Sequence, residues 1–439
     1  MNKSTLAVAV TLAALANQAT AAGFIEDSTA TLGLRNFYYD RNDKNTDNNN
    51  GEAREWGQGL IFNYTSGFTE GTVGFGLDAI GLVGIRLDSG GRNNKVGRDR
   101  TPGQVFPTDH DGSAVDSYGK AGVTGKVRFA KTVAQVGTLL PKLPVVTYND
   151  GRLLPQTFKG GQVTSNDIDG LTLLGGKLES SKGRSSTDDV QLKVAGAGAN
   201  ADTNKFYYAG GDYKLTKDLT LQYYYGNLED FYKQHFLGLT HNWALPVGAL
   251  KTDLRYFNSS SDGKNGSGSG RSEGYRSNGY WHAGDSKSGE VDNQAWSAMF
   301  TYSLSGHAAS LGYQQLSGKS DFPFLNQGEG ATAYLITDRQ IGKFLNAGER
   351  TWLAEYGYDF ATLGVPGLKA TITYLSGDNI DAANGDNKEW ERDFRLDYVL
   401  QDGALKGLGF SWRNASLRGN DSTDQDENRL IVSYSLPLF

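Results

Sequence analysis

Residues 73–87 read Val73-Gly74-Phe75-Gly76-Leu77-Asp78-Ala79-Ile80-Gly81-Leu82-Val83-Gly84-Ile85-Arg86-Leu87. Val73, Phe75, Leu77, Ala79, Val83, Ile85 and Leu87 share one parity, while Asp78, Leu82 and Arg86 share the other. Only a pleated strand puts residues i, i+2 and i+4 on one surface, so this stretch predicts a long strand with an apolar and a mixed, more polar face. The alternation returns at Phe394-Arg395-Leu396-Asp397-Tyr398, at Phe410-Ser411-Trp412-Arg413 and along Leu430, Val432, Tyr434, Leu436 and Leu438. Repeated from about Phe24 to Phe439, it predicts an all-β chain, a transmembrane antiparallel β-barrel. A closed barrel is required because lipid cannot satisfy the backbone groups of an open sheet edge.

Composition points the same way. The 439 residues are 38% hydrophobic and 21% charged, too polar for a bundle of membrane helices. Beyond the first 21 residues, no apolar run approaches the roughly 20 residues that a spanning helix needs. Fifty-eight glycines and 23 tyrosines suit turns and interfacial aromatic girdles. The absence of cysteine excludes a disulfide scaffold, a thiolate metal site and a cysteine nucleophile. A formal charge of −6 argues against nucleic-acid binding, which calls for a basic face.

At the start, Lys3, an apolar stretch from Leu6 to Leu15 and Ala19-Thr20-Ala21 predict a signal peptide over residues 1–21, with cleavage after Ala21 or Ala22. Residues 22–439 then form one barrel domain. Losing Lys3, the only charged side chain removed, takes the formal charge from −6 to −7.

Turn signals fix the strand count. Tight turns fall near residues 66–69, 130–132, 167–170, 215–218, 246–248, 305–306, 364–367 and 403–406. Long polar connections fall near 42–53, 89–117, 141–160, 180–204, 259–291, 317–348, 377–388 and 418–427, with a brief one near Glu229. Eight short and nine long connections join about 18 strands, with both termini periplasmic and the long loops extracellular. A barrel of this size leaves an aqueous channel. The Ser/Gly-rich tract 258–289 reads as a mobile external loop, and Pro437 predicts fraying of the last two residues.

Several segments resemble the OprD-type substrate-specific porins, the outer-membrane carboxylate channels. They include Gly23-Phe24-Ile25-Glu26-Asp27-Ser28 with Leu34-Arg35-Asn36-Phe37-Tyr38, and Ser66-Gly67-Phe68-Thr69-Glu70-Gly71-Thr72, which leads into the stretch quoted above. Lys126-Val127-Arg128, Gly151-Arg152-Leu153-Leu154-Pro155-Gln156, Leu228-Glu229-Asp230-Phe231-Tyr232, Gly364-Val365-Pro366-Gly367-Leu368 and Arg429-Leu430-Ile431-Val432 extend the resemblance over nearly the whole mature chain. It implies 18 strands, a third external loop folded inward as a constriction, and a row of basic side chains guiding carboxylates. Arg152 stands where that loop's constriction arginine is expected, and Pro155, with Pro141 and Pro144, stiffens the segment.

Strand parity gives an independent set of lumenal cations. Arg35, Arg86, Lys126, Arg128, Arg413 and Arg429 each lie opposite in phase to apolar neighbours, so each faces water if those neighbours face lipid. Arg395 passes the same test, with Asp397 on its face as a neutralising partner. Asp78, Glu355 and Asp397 are the lumenal acids by phase, either pairing structurally or adding selectivity for zwitterions and basic amino acids.

The remaining chemical signals are weak. Gly74 to Ala79 fits G-x-G-x-x-A but continues a strand instead of opening a helix. His110, His235, His241, His282 and His307 show no metal-ligand spacing. The chain therefore reads as a non-enzymatic, cofactor-free porin of the Gram-negative outer membrane, passing small carboxylate-bearing solutes such as amino acids and aromatic or other organic acids. Its other partners are outer-membrane lipids, lipopolysaccharide and the barrel assembly machinery, and it is a monomer or weak trimer. Two alternatives stand beside this: a barrel hydrolase using His235 or His241, and a non-conducting adhesin or receptor displaying Tyr275, Tyr280 and Trp281.

Overall fold

A computed structural model describes residues 22–44, 51–89, 103–325, 332–382, 385–420 and 422–439. The segment assigned to a signal peptide lies outside them. The barrel strands are β1 (Thr29–Asp43), β2 (Glu52–Thr65), β3 (Val73–Ser89), β4 (Ser117–Phe129), β5 (Thr132–Leu139), β6 (Thr157–Ile168), β7 (Leu171–Lys182), β8 (Phe206–Lys214) and β9 (Leu219–Leu228). They continue as β10 (Tyr232–Ala244), β11 (Ala249–Ser261), β12 (Asp292–Leu304), β13 (His307–Gly318), β14 (Arg350–Asp359), β15 (Leu368–Ile380), β16 (Asn387–Val399), β17 (Gly409–Gly419) and β18 (Gln425–Pro437).

Each strand pairs antiparallel with its neighbours in sequence, and β1 pairs with β18 from Thr31↔Pro437 to Asp43↔Gln425. That last pairing closes an 18-strand barrel and removes the sheet edge. Parity sorts the side chains as the alternation predicts. Leu82 is 1% exposed, whereas Val83 and Ile85 on either flank of Gly84 are each 40% exposed. Outward rows such as Leu34↔Leu60↔Val83 build the apolar belt, and Trp56, Trp243, Trp296, Trp352, Trp390 and Trp412 are exposed on the same outer face. Inward aromatic residues Phe37, Tyr39, Tyr208, Tyr224, Phe236 and Phe257 are buried because loops fold over them.

Three local expectations are corrected. The turns after β2, β14 and β16 are longer than the sequence signals suggest, the middle one carrying a 3-10 turn at Phe360–Leu363 that Asp359 caps through Ala361 N–H. The tract after β11 is a folded unit with a 3-10 turn (Gly263–Gly266) and a short helix (Gly268–Ser272). Asn265 is its centre: fully buried, it donates to Tyr275 O at 2.9 Å and Gly289 O at 2.8 Å. A side chain with satisfied amide bonds lets a Ser/Gly-rich loop hold one conformation. Finally, the C-terminus stays paired, since Leu438 N–H donates to Ala30 O at 2.8 Å and Ala30 N–H donates to Phe439 O at 3.1 Å. Pro437 lacks a donor, but these bonds use the residues that follow it.

Candidate functional site

The lumen is narrowed by the connection between β5 and β6, residues 140–156. β5 has only eight residues, so the chain leaves the wall early and turns inward. A small hairpin of Lys142–Leu143 and Val146–Thr147 stiffens it, closed by Tyr148 N–H donating to Pro141 O at 2.9 Å. Leu153 and Leu154, both fully buried, dock the returning limb against Phe37, Tyr39, Leu82, Phe106 and Tyr118. Burying two leucines contributes about 2 kcal/mol each.

The wall is shaped to receive them. Gly57 and Gly59 face inward on β2, and a Cβ on Gly57 would lie 2.5 Å from Phe106 Cζ and 2.8 Å from Leu153 Cδ2. Lys120, buried on β4, donates from Nζ to Pro155 O at 2.9 Å and to Gly183 O at 2.5 Å. Arg35 grips the loop tip through a fork to Asp150, at 2.7 and 3.1 Å, and donates to Arg152 O at 2.9 Å.

Two further loops fold inward. Glu55 on β2 accepts backbone N–H groups from Gln104 at 2.7 Å and Val105 at 2.8 Å, with Gly103 and Phe106 both at 3.3 Å. Glu391 on β16 accepts from Gln340 at 3.2 Å, Ile341 at 2.9 Å and Gly342. Carboxylates holding rows of N–H groups fasten both loops to the wall, as an acid does at a helix N-terminus.

Beside the loop tip, Arg395↔Arg413 and Arg413↔Arg429 are direct register partners, placing three inward guanidiniums side by side on β16, β17 and β18. The outer two have acids on their own strands, Asp397 at 2.5 Å and Glu427 at 2.5 Å. Arg413 between them donates only to Ser411 Oγ, at 3.3 Å, and meets no carboxylate within 4 Å among the described residues. Arg429 also donates to Gln340 O at 2.8 Å, which ties the 332–348 loop to the same cluster.

Arg152 lies against the wall. Its guanidinium stacks on Tyr39 at 4.3 Å from the ring centroid, donates to the Tyr39 hydroxyl at 3.3 Å and faces Glu427 at 3.7 Å. Burial, and then the Arg429 charge, hold its pKa below the usual arginine value while Tyr39 and Glu427 oppose them. Pro155 supplies its carbonyl to Lys120. The basic residues expected from phase, with the Arg152 that the resemblance implied, thus fall into three places. Arg35, Arg152, Arg413 and Arg429 converge at the inward loop. Lys126 pairs with Asp78 at 2.6 Å and shares the Phe68 ring with Arg128, which lies 4.5 Å from its centroid, beside the first periplasmic turn. Arg86 is held at the external side by Asp116 and by Ala114 O at 2.6 Å. Glu355 sits apart from the arginine row, opposite Arg339 at 3.5 Å.

Sequence reasoning missed Glu427, Lys120, Asp150, Arg184 and Gln340. Glu427 was legible, since it shares the parity of Arg429 two residues away. Lys120 was not, because Gly119 and Ala121 give no apolar stripe against which to set a phase. Arg184 donates to Asn149 Oδ1 at 3.4 Å, and a Cβ on Gly151 would stand 3.5 Å from its Nη1 and 4.0 Å from Arg429 Nη1. Around the loop tip, Arg35, Arg152, Arg184, Arg395, Arg413 and Arg429 gather with the acids Asp150, Asp397 and Glu427 set between them.

Among the described residues no group of three or more metal-ligating side chains converges. His235 and His241 face outward on β10, packed against Tyr225 at 5.0 Å and Trp243 at 4.2 Å between ring centroids.

Residues 22–438 match the family described as outer membrane porin, OprD family. The chain is 36% identical to the porin-like protein GalP of Pseudomonas putida, covering 97% of this chain and 96% of that protein. It superposes on the crystal structure of Pseudomonas aeruginosa OccK8 (OprE) with a TM-score of 0.88 at 60% identity, covering 95% of this chain and 100% of that one. Against Pseudomonas aeruginosa OpdK solved with vanillate, the TM-score is 0.83 at 35% identity, covering 94% and 100%.

Proposed function

Because this chain belongs to the OprD family of outer-membrane porins, a barrel of the Gram-negative outer membrane, we propose that it passes small carboxylate-bearing solutes down their gradient, guided by the lumenal arginines. The observation that carries this reading is Arg413, a guanidinium without an acid partner among the described residues, set between two others in the row Arg395, Arg413 and Arg429. Arginine stays charged and offers a planar fork that fits a carboxylate through two hydrogen bonds. Neighbouring guanidiniums let the anion pass from one to the next, which favours conduction over trapping. OpdK solved with vanillate, an aromatic carboxylate, is in keeping with this class of solute.

Within this reading Arg35 and Arg152 hold the constriction loop to the wall, and Arg413 and Arg429 present charge to the solute. Lys126 and Arg128 line the periplasmic exit, and Arg86 the external approach. Asp78, Glu355 and Asp397 pair with basic neighbours. Residues 1–21 direct export, and the chain carries its solutes without a catalytic step. The test is reconstitution in planar bilayers with benzoate-like acids, dicarboxylates and basic amino acids. Current block by the acids and a reversal potential on the anion side support the reading; cation preference with no block by any acid overturns it.

A further inference from the structure

Outside the lumen, three external loops line an open cleft of about 800 Å³, with Gly196, Arg276, Asn278, Trp281 and Asp321 among its walls. Its walls are fixed by backbone bonds within and between loops. Asn278 N–H donates to Ala195 O at 3.1 Å, Ser277 N–H to Gly289 O at 2.9 Å and Asp321 N–H to Asn278 O at 3.1 Å, while Gly279 bridges Ser320. Gly279 has φ +147°, and a Cβ there would lie 2.4 Å from Lys319 O and 2.7 Å from the Trp281 ring. The glycine therefore lets the indole lie on the cavity wall.

Asp321 and Arg276, of opposite sign, line this cavity without charged partners among the described residues. Asp321 accepts one hydrogen bond, from Ala347 N–H at 3.0 Å, and meets no cationic side chain within 4 Å among the described residues. Arg276 donates from Nε to Gly196 O at 3.3 Å and likewise has no carboxylate within 4 Å among them. Of the other charges lining the cavity, Arg271 donates to Asn265 O at 2.6 Å and Ser286 O at 2.7 Å and faces Glu290, whereas Asp285 accepts Lys287 N–H at 2.8 Å and, like Asp321, meets no cationic side chain within 4 Å among the described residues. Burial pushes the Asp321 carboxyl up to about 6, the response of an acid whose surroundings supply too little compensating charge.

We propose that this cavity is an external capture site for small zwitterions such as amino acids, the ammonium group going to Asp321 and the carboxylate to Arg276. Trp281 supplies a flat apolar and cation-attracting wall for the rest of the solute, and the volume suits a ligand of that size. The site deepens the porin reading, on which it rests, by naming a second charged group on the transported solute.

The test uses the full detergent-purified barrel and titration calorimetry with phenylalanine, N-acetylphenylalanine, which keeps the carboxylate alone, and phenylalaninamide, which keeps the ammonium alone. Phenylalanine binds about tenfold more tightly than either analogue, and Asp321→Asn or Arg276→Gln each abolishes that advantage. The amide introduced by Asp321→Asn retains an oxygen for Ala347 N–H, and Arg276→Gln gives a second, independent variant. Equal binding of the three probes, or an advantage that survives both substitutions, overturns the proposal. Failure of the pore reading is separable: it appears as carboxylate block unchanged in Arg413→Gln, whatever the calorimetry of the outer cavity gives.

Discussion

Arg35 and Asp150, 115 positions apart in the chain, meet through a two-pronged contact of 2.7 and 3.1 Å that joins the barrel wall to the tip of the constriction loop. The pair is partly exposed, so its worth lies in where it holds the loop more than in stability.

Breaking that fork from either side gives a diagnostic pattern. Arg35→Gln and Asp150→Asn both free the loop tip and raise single-channel conductance, but they shift charge in opposite directions. The first lowers anion preference and the second raises it, as read from reversal potentials in a salt gradient. Conductance unchanged in both variants removes the loop from the constriction.

Arg413→Gln leaves the barrel intact, because Arg413 makes no ion pair among the described residues, and weakens block by benzoate-like acids about tenfold, on the order of 1.4 kcal/mol. Thermal unfolding of the variant matches that of the parent. Block of undiminished strength would move the anion path away from the β16–β18 wall.

Gly57→Ala inserts a methyl group where Phe106 and Leu153 already stand. Overpacking of this kind costs about 1–3 kcal/mol, and the loops 103–116 and 140–156 shift together. The measurements are a lowered unfolding temperature and a conductance that departs from the parent value. A variant identical to the parent in both would place Leu153 elsewhere.

Since the chain has no cysteine, single thiols report directly on strand phase. Arg413→Cys reacts with a water-soluble thiosulfonate and changes the current, whereas Trp412→Cys, one residue away and facing lipid, does not. Reversed reactivity would turn β17 inside out.

The barrel was legible in the sequence because a lipid-exposed strand must alternate, and a one-residue slip would put Arg413 or Arg429 against acyl chains at about 2–4 kcal/mol. Phase alone thus placed Arg35, Arg86, Lys126, Arg128, Arg413 and Arg429 on the inner face, and the turn signals counted 18 strands. The loops carry no such periodicity. Nothing in the row Asn149-Asp150-Gly151-Arg152 announces that Arg35 takes Asp150 or that Arg152 lies on Tyr39. The inward fold of 332–348 and the ordered core around Asn265 were equally silent, because their partners are backbone groups and carboxylates contributed by distant strands.

What the sequence determined by itself was which face of each strand meets water, a consequence of the period of two and the cost of charge in hydrocarbon. What only the tertiary structure decided was which of the inward charges are neutralised and which stay free. Closing the sheet brings Arg395, Arg413 and Arg429 into one register while leaving Arg413 without an acid in contact among the described residues, and pairing of that kind depends on the relative placement of β16, β17 and β18. Coulomb interactions follow distance in space and not distance along the chain.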